Sequence, residues 1–167
     1  MKYSTKLLLT SSIVFLLQNN VQAAGLPLSL AVEAATETIK SCEASGYNVS
    51  VAVVDIYGQA IVQFKGDKST PHTKETAYRK AYTAITFGPI FTLETSNQVA
   101  TLMSKNPTAY EAFLTVPNIT PLPGGVAVMA NREMIAAIGV SGAPGGDKDE
   151  ACARAGILKI SDRLIKK

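Results

Sequence analysis

The sequence predicts an α+β sandwich, an antiparallel sheet of hairpins flanked by helices. Three observations carry this. Two pairs of β-branched segments are each joined by a short turn. Stretches of helical periodicity stand before, between and after the pairs. The resulting order, helix, two strands, two or three helices, two strands, helix, is not the strand–helix alternation of a doubly wound sheet.

Leu28 to Ala44 predicts a helix, with Ala31, Ala34, Ala35, Thr38, Ile39 and Cys42 at helical spacing and Gly46 ending it. Asn48 to Asp55 is a β-branched strand, Gly58 marks a bend, and Ala60 to Phe64 returns as the second strand of a hairpin. Thr70 and Pro71 have the character of an N-cap and a first-turn residue. The helix they introduce runs from about His72 to Phe87 and is expected to stop at Gly88-Pro89.

A further helix spans about Leu93 to Lys105, with Thr95 and Gln98 at capping-box spacing, and Asn106-Pro107 breaks it. Ala109 to Leu114 forms one more short helical turn. Val116 to Gly125 is a proline- and glycine-rich loop. Val126 to Met129 and Met134 to Val140 are strands joined by the turn Ala-Asn-Arg-Glu. Asp147 is expected to open the last helix, with Glu150 as its capping-box partner.

Residues 1–23 carry the pattern of a secretory signal peptide. Lys2 and Lys6 form a basic start, Leu7 to Leu17 an apolar stretch too short to span a bilayer, and Val21 and Ala23 a small-residue cleavage site. Residues 24–167 then form a single domain, in the periplasm or secreted. Without Lys2 and Lys6 the basic residues fall from 16 to 14 against 13 acids, a net charge of about +1. That gives no field suited to nucleic acid, and no second apolar stretch is long enough for a membrane span.

The two cysteines, Cys42 and Cys152, lie on predicted helices near opposite ends of the chain. In an oxidising compartment they form a disulfide if those helices pack side by side, and stay buried thiols if they do not. No Cys-x-x-Cys or Cys/His cluster suggests zinc, and the absence of Cys-x-x-Cys-His excludes covalent haem of the c type.

Ser141 lacks the glycine two residues later that a hydrolase elbow requires. The glycine-rich stretch behind it leads into a helix start crowded by Asp147, Asp149 and Glu150, which disfavours phosphate. It reads as a turn that brings the last helix onto the sheet.

His72 is the single histidine. On a helix of 3.6 residues per turn, Ala77, Ala81, Ala84 and Ile85 form the face toward the sheet. His72, Glu75, Thr76, Arg79 and Thr83 form a polar stripe on the opposite face. That stripe is either a solvated face or a ligand site against a neighbouring loop or subunit. Non-covalent haem needs one or two axial donors and an apolar slot, and His72, the six tyrosines, Met103, Met129 and Met134 can supply the donors. Arg79 or Lys80 could pair with a propionate.

The blocks VAVVDIYGQAIVQFKGD, PHTKETAYRKAYTAITFG, PGGVAVM and AIGVSGAPGGDKDEACARAG, in this order, resemble the GlcG/HbpS family of haem-binding proteins, formerly a domain of unknown function. The resemblance covers about residues 28 to 160. It implies a profilin-like arrangement of sheet and helices, assembly into homo-oligomers, and an exported protein that binds haem without a covalent link as carrier, sensor or scavenger. It directs attention to the helix beginning at His72.

His72 is then the preferred axial and metal ligand, Tyr78 or Tyr110 a second donor, and Arg79 a propionate partner. Some members bind iron through Glu-x-x-Glu on this helix. Here Glu75 is present, but Tyr78 stands three residues later. Two other readings follow from the resemblance: a binding module for a corrinoid or a hydroxyacid, and a haem-degrading enzyme.

Overall fold

A computed structural model describes residues 25–164. The segment read as a signal peptide lies outside the described residues. The element order is α1 (Leu28–Ala44), β1 (Ser50–Asp55), β2 (Ala60–Lys65), α2 (Thr73–Phe91), α3 (Ser96–Met103), α4 (Pro107–Leu114), β3 (Gly125–Ala130), β4 (Glu133–Ser141) and α5 (Gly146–Ile160), followed by a short 3-10 turn. The strands form one antiparallel sheet in the order β2-β1-β4-β3. The predicted α+β class and both hairpins are therefore present.

Local chemistry sets both hairpin turns. Asp55 Oδ1 accepts the backbone N–H groups of Tyr57 and Gln59, each at 2.9 Å, and Gly58 takes the left-handed conformation at φ 75°. Asn131 and Arg132 both have positive φ, the geometry of a two-residue turn matched to strand twist.

Helices α1 and α5 pack side by side over one face of the sheet. Ala31, Ala34, Ala35, Cys42, Cys152, Ala153 and Ile160 meet Val51, Val53, Ile138 and Val140 there. Cys42 and Cys152 are joined as a disulfide with a Cα–Cα distance of 5.5 Å. The possibility of two free thiols is thus closed by the packing of these two helices.

Helix α2 covers the other face, burying Ala77, Ala81, Ala84 and Ile85 as their spacing predicts. The contact is close because β4 offers a glycine. A Cβ on Gly139 would collide with Ala77 O and lie 2.6 Å from Ala81 N, both backbone atoms that cannot yield separately. Gly139→Ala is expected to lower stability by about 1–3 kcal/mol through overpacking. Urea unfolding checks this, and an unchanged midpoint would refute the close-approach role.

The structure corrects four local expectations. Helix α2 passes through Gly88-Pro89 and ends at Phe91, capped by left-handed Thr92. Pro89 forgoes only one helical bond, while Phe87 stacks on Phe91 and packs edge-on against Phe113. Gly88 is present for close approach to Leu93 O and Met134, not as a stop.

At the other end, α2 starts after His72, and Thr70 Oγ1 contacts His72 Nδ1 at 3.3 Å instead of capping a backbone N–H. Asp147 and Glu150 form no capping box, because the N-cap of α5 is Gly145 and Glu150 pairs with Arg154 at 2.8 Å. Finally, Thr83 is not on a wet stripe. The loop before β3 folds over it, and its hydroxyl accepts from Thr120 N at 2.9 Å and donates to Arg79 O at 2.8 Å. The capping box of Thr95 and Gln98 forms as expected.

Candidate functional site

The first turns of α2, the glycine-rich loop after β4 and the loop before β3 enclose an open groove of about 390 Å3. His72, Thr76 and Lys80 line it from successive turns of α2, since residues four apart share a helix face. Ser141 and the loop 142–146 form the floor, and Leu122 and Pro123 the opposite wall. The volume lies at the small end of the range for ligand pockets, about 300–1,000 Å3.

A buried ion pair closes the inner end. Lys80 Nζ donates to Asp149 Oδ2 at 2.6 Å, with the side chains 5% and 3% exposed. Asp149 Oδ1 accepts from Ala143 N at 3.0 Å, which ties the glycine-rich loop to α5. Burial raises the Asp149 carboxyl above its ordinary value, outweighing the opposing pull of Lys80 and of the Ala143 N–H. Gly124, at φ 121°, leaves room for the pair, because a Cβ there would lie 2.9 Å from Asp149 Cβ and 3.0 Å from Lys80 Nζ.

His72 is exposed at the rim. Its Nδ1 is in contact with Thr70, and its Nε2 has no hydrogen-bond partner among the described residues. An imidazole held at Nδ1 with Nε2 open is suited to ligation. The exposed Leu122, 47% accessible, supplies an apolar wall nearby.

The other candidates from the sequence are not gathered here. Arg79 is half exposed and bonds Glu75 at 3.0 Å on the helix surface. Tyr78 donates to Gly58 O at 3.1 Å beyond the groove, and burial raises its phenol above the usual value, with Tyr82 and Glu75 adding to the shift. Tyr110 lines a separate groove with Ala100, Pro107 and Pro121 between α3 and α4.

Lys80 is the groove cation that the polar-stripe reading did not place. It follows Ala77 by three residues and precedes Ala84 by four, so its spacing put it beside the buried face. Asp149 likewise stands three residues before Cys152 and four before Ala153. Among the described residues no group of three or more His, Cys, Asp or Glu could hold a metal ion.

A family model described as haem degrading protein HbpS-like matches residues 26–158. The chain belongs to the HbpS-like family. A crystal structure of HbpS is 36% identical, with a TM-score of 0.73 over 84% of this chain and 93% of that one. A double glutamate-to-aspartate mutant of Streptomyces reticuli HbpS is 33% identical, with a TM-score of 0.73 over 90% and 97%.

A PduOC–haem complex shares the fold at 19% identity, with a TM-score of 0.71 over 82% of this chain and 96% of that one. No curated protein matches the chain. The HbpS-like fold thus matches the expected family, and no helix among the described residues is long and apolar enough to cross a membrane.

Proposed function

We propose that this HbpS-like protein is exported, assembles as a homo-oligomer and binds haem non-covalently, with His72 as axial ligand. The observation that carries the reading is the open Nε2 of the single histidine, set at the rim of a groove with an apolar wall. Haem is the ligand because the chain belongs to a family described by haem, and non-covalent haem needs only one or two such donors.

The groove is small, so it would receive one edge of the macrocycle. Leu122 would supply the apolar contact and His72 the donor that hold it there. The Cys42–Cys152 disulfide supports export, since such bonds persist in oxidising compartments.

Haemin titration of residues 24–167, followed by absorbance, tests this beside His72→Ala. The expected result is a Soret shift that saturates at a fixed ratio and is lost in the variant. A saturable shift that survives the substitution moves the ligand elsewhere, to Tyr78 or Tyr110. No saturable shift in either protein sinks the haem reading and favours a module for a corrinoid or a hydroxyacid.

The family description also favours a second reading, in which the protein degrades haem. Steady loss of the Soret band with an added reductant and dioxygen would establish it, and a stable complex would refute it.

A further inference from the structure

The floor of the groove holds more hydrogen-bond donors than the single acceptor side chain, Asp149, engages. Ser141 is 5% exposed and lines the groove, and its hydroxyl, which makes no hydrogen bond to a described residue, is open to the groove. Lys80, 4% exposed, has three N–H donors and one partner, Asp149. A buried ammonium so placed needs further acceptors.

The N-terminus of the 15-residue helix α5 opens on the same place. Its N-cap is a glycine with no capping side chain, and the N–H groups of Gly146 and Asp147 meet no acceptor among the described residues. Asp147 is exposed and is not among the groove-lining residues, although its carboxylate stands close to the N-cap Gly145 at the outer side of the helix start. Asp149, which crowds this helix start in the sequence, is turned inward and held by Lys80 and Ala143 N. It therefore does not occupy the helix start.

We propose that Lys80, Ser141 and the first N–H groups of α5 form a carboxylate-binding subsite. The carboxylate comes either from a propionate of haem or from a small free organic acid. Its two oxygens accept from the Ser141 hydroxyl, the α5 backbone and the spare N–H groups of Lys80, and the positive end of the helix dipole favours the negative charge. Asp149 orients Lys80 and keeps the isolated site near neutrality, so that only a group rich in acceptors is held. This assignment separates Lys80 from Arg79, whose guanidinium is engaged by Glu75 at the surface.

The propionate source rests on the haem reading, whereas the free-acid source does not, and the two are tested apart. Haemin and haemin dimethyl ester are titrated into the wild-type protein, Ser141→Ala and His72→Ala. Sodium propionate is titrated separately into labelled wild-type protein, with the amide resonances of residues 141–147 other than Pro144 observed. The Ser141 hydroxyl makes no hydrogen bond to other described residues and the strand backbone is untouched by the substitution, so Ser141→Ala should leave folding intact; the wild-type amide titration does not depend on any variant.

Haemin should bind about tenfold more tightly than its ester to the wild type, the size of one lost hydrogen bond to a charged group. That gap should close in Ser141→Ala, while His72→Ala weakens both forms alike. Equal affinities for haemin and its ester in the wild type, with an intact Soret shift, would overturn the propionate source and leave the haem reading standing. Saturable shifts of the 141–147 amides by propionate without any haem binding would support the free-acid source and fail the haem reading. Absence of both the ester difference and the amide shifts overturns the subsite.

Discussion

Lys80→Met is expected to destabilise the protein by about 3–5 kcal/mol at pH 8, because it leaves Asp149 buried without its partner. In the native protein burial already raises the Asp149 carboxyl, against the hydrogen bond and charge of Lys80 and the Ala143 N–H. Removal of Lys80 leaves only the Ala143 N–H opposing burial, so the carboxyl rises further.

An acid whose folded value lies above its unfolded value holds more protons in the folded state. Its contribution to stability therefore falls as pH rises from about 3.9, the unfolded value, through the folded one. The deficit of Lys80→Met should accordingly shrink as pH falls from 8 toward 5, as Asp149 takes up a proton.

Lys80→Met/Asp149→Leu should recover most of the loss, since an apolar pair of similar volume is often no worse than a buried ion pair. Urea unfolding of the single and double variants at several pH values checks both statements. A deficit independent of pH, or a double variant as unstable as the single one, would show that the pair is not the cause.

Removal of the disulfide has an effect of similar size through a different route. The bridge closes a loop of 110 residues that contains all four strands. In the chain-entropy account a loop of that length contributes about 5 kcal/mol by restricting the unfolded chain. That is a large fraction of the roughly 5–15 kcal/mol that holds a domain of this kind together.

Cys42→Ala/Cys152→Ala should therefore unfold at a Tm lower by roughly 15 °C. The reduced wild-type protein should behave like the variant, and the oxidised protein should not. Identical melting of oxidised and reduced wild type would mean that the bond does not constrain the chain. The haemin spectrum of the folded variant should be unchanged, because the bridge joins α1 to α5 on the face of the sheet opposite α2.

The elements of this fold are written in short stretches of sequence. The alanine stripe of α2, the capping box of Thr95 and Gln98, and both hairpins arise from interactions between residues a few positions apart, and all are found where spacing places them. The misplaced ends are also instructive. Gly88-Pro89 has the local character of a stop, but aromatic packing and the close approach of Met134 carry the helix past it. Asp147 and Glu150 satisfy a capping pattern, but the helix starts earlier, at the N-cap Gly145, and Glu150 pairs with Arg154.

The sequence by itself determined the alternating and helical segments, the apolar faces, and the presence of one histidine at the head of α2. Tertiary structure alone decided that Cys42 meets Cys152, that Lys80 meets Asp149 across 69 residues, and that the glycine-rich loop becomes the floor beneath His72. The physical reason is range. Periodicity and capping are settled within a few residues of chain, whereas the pairing of distant side chains depends on how whole helices seat on the two faces of the sheet.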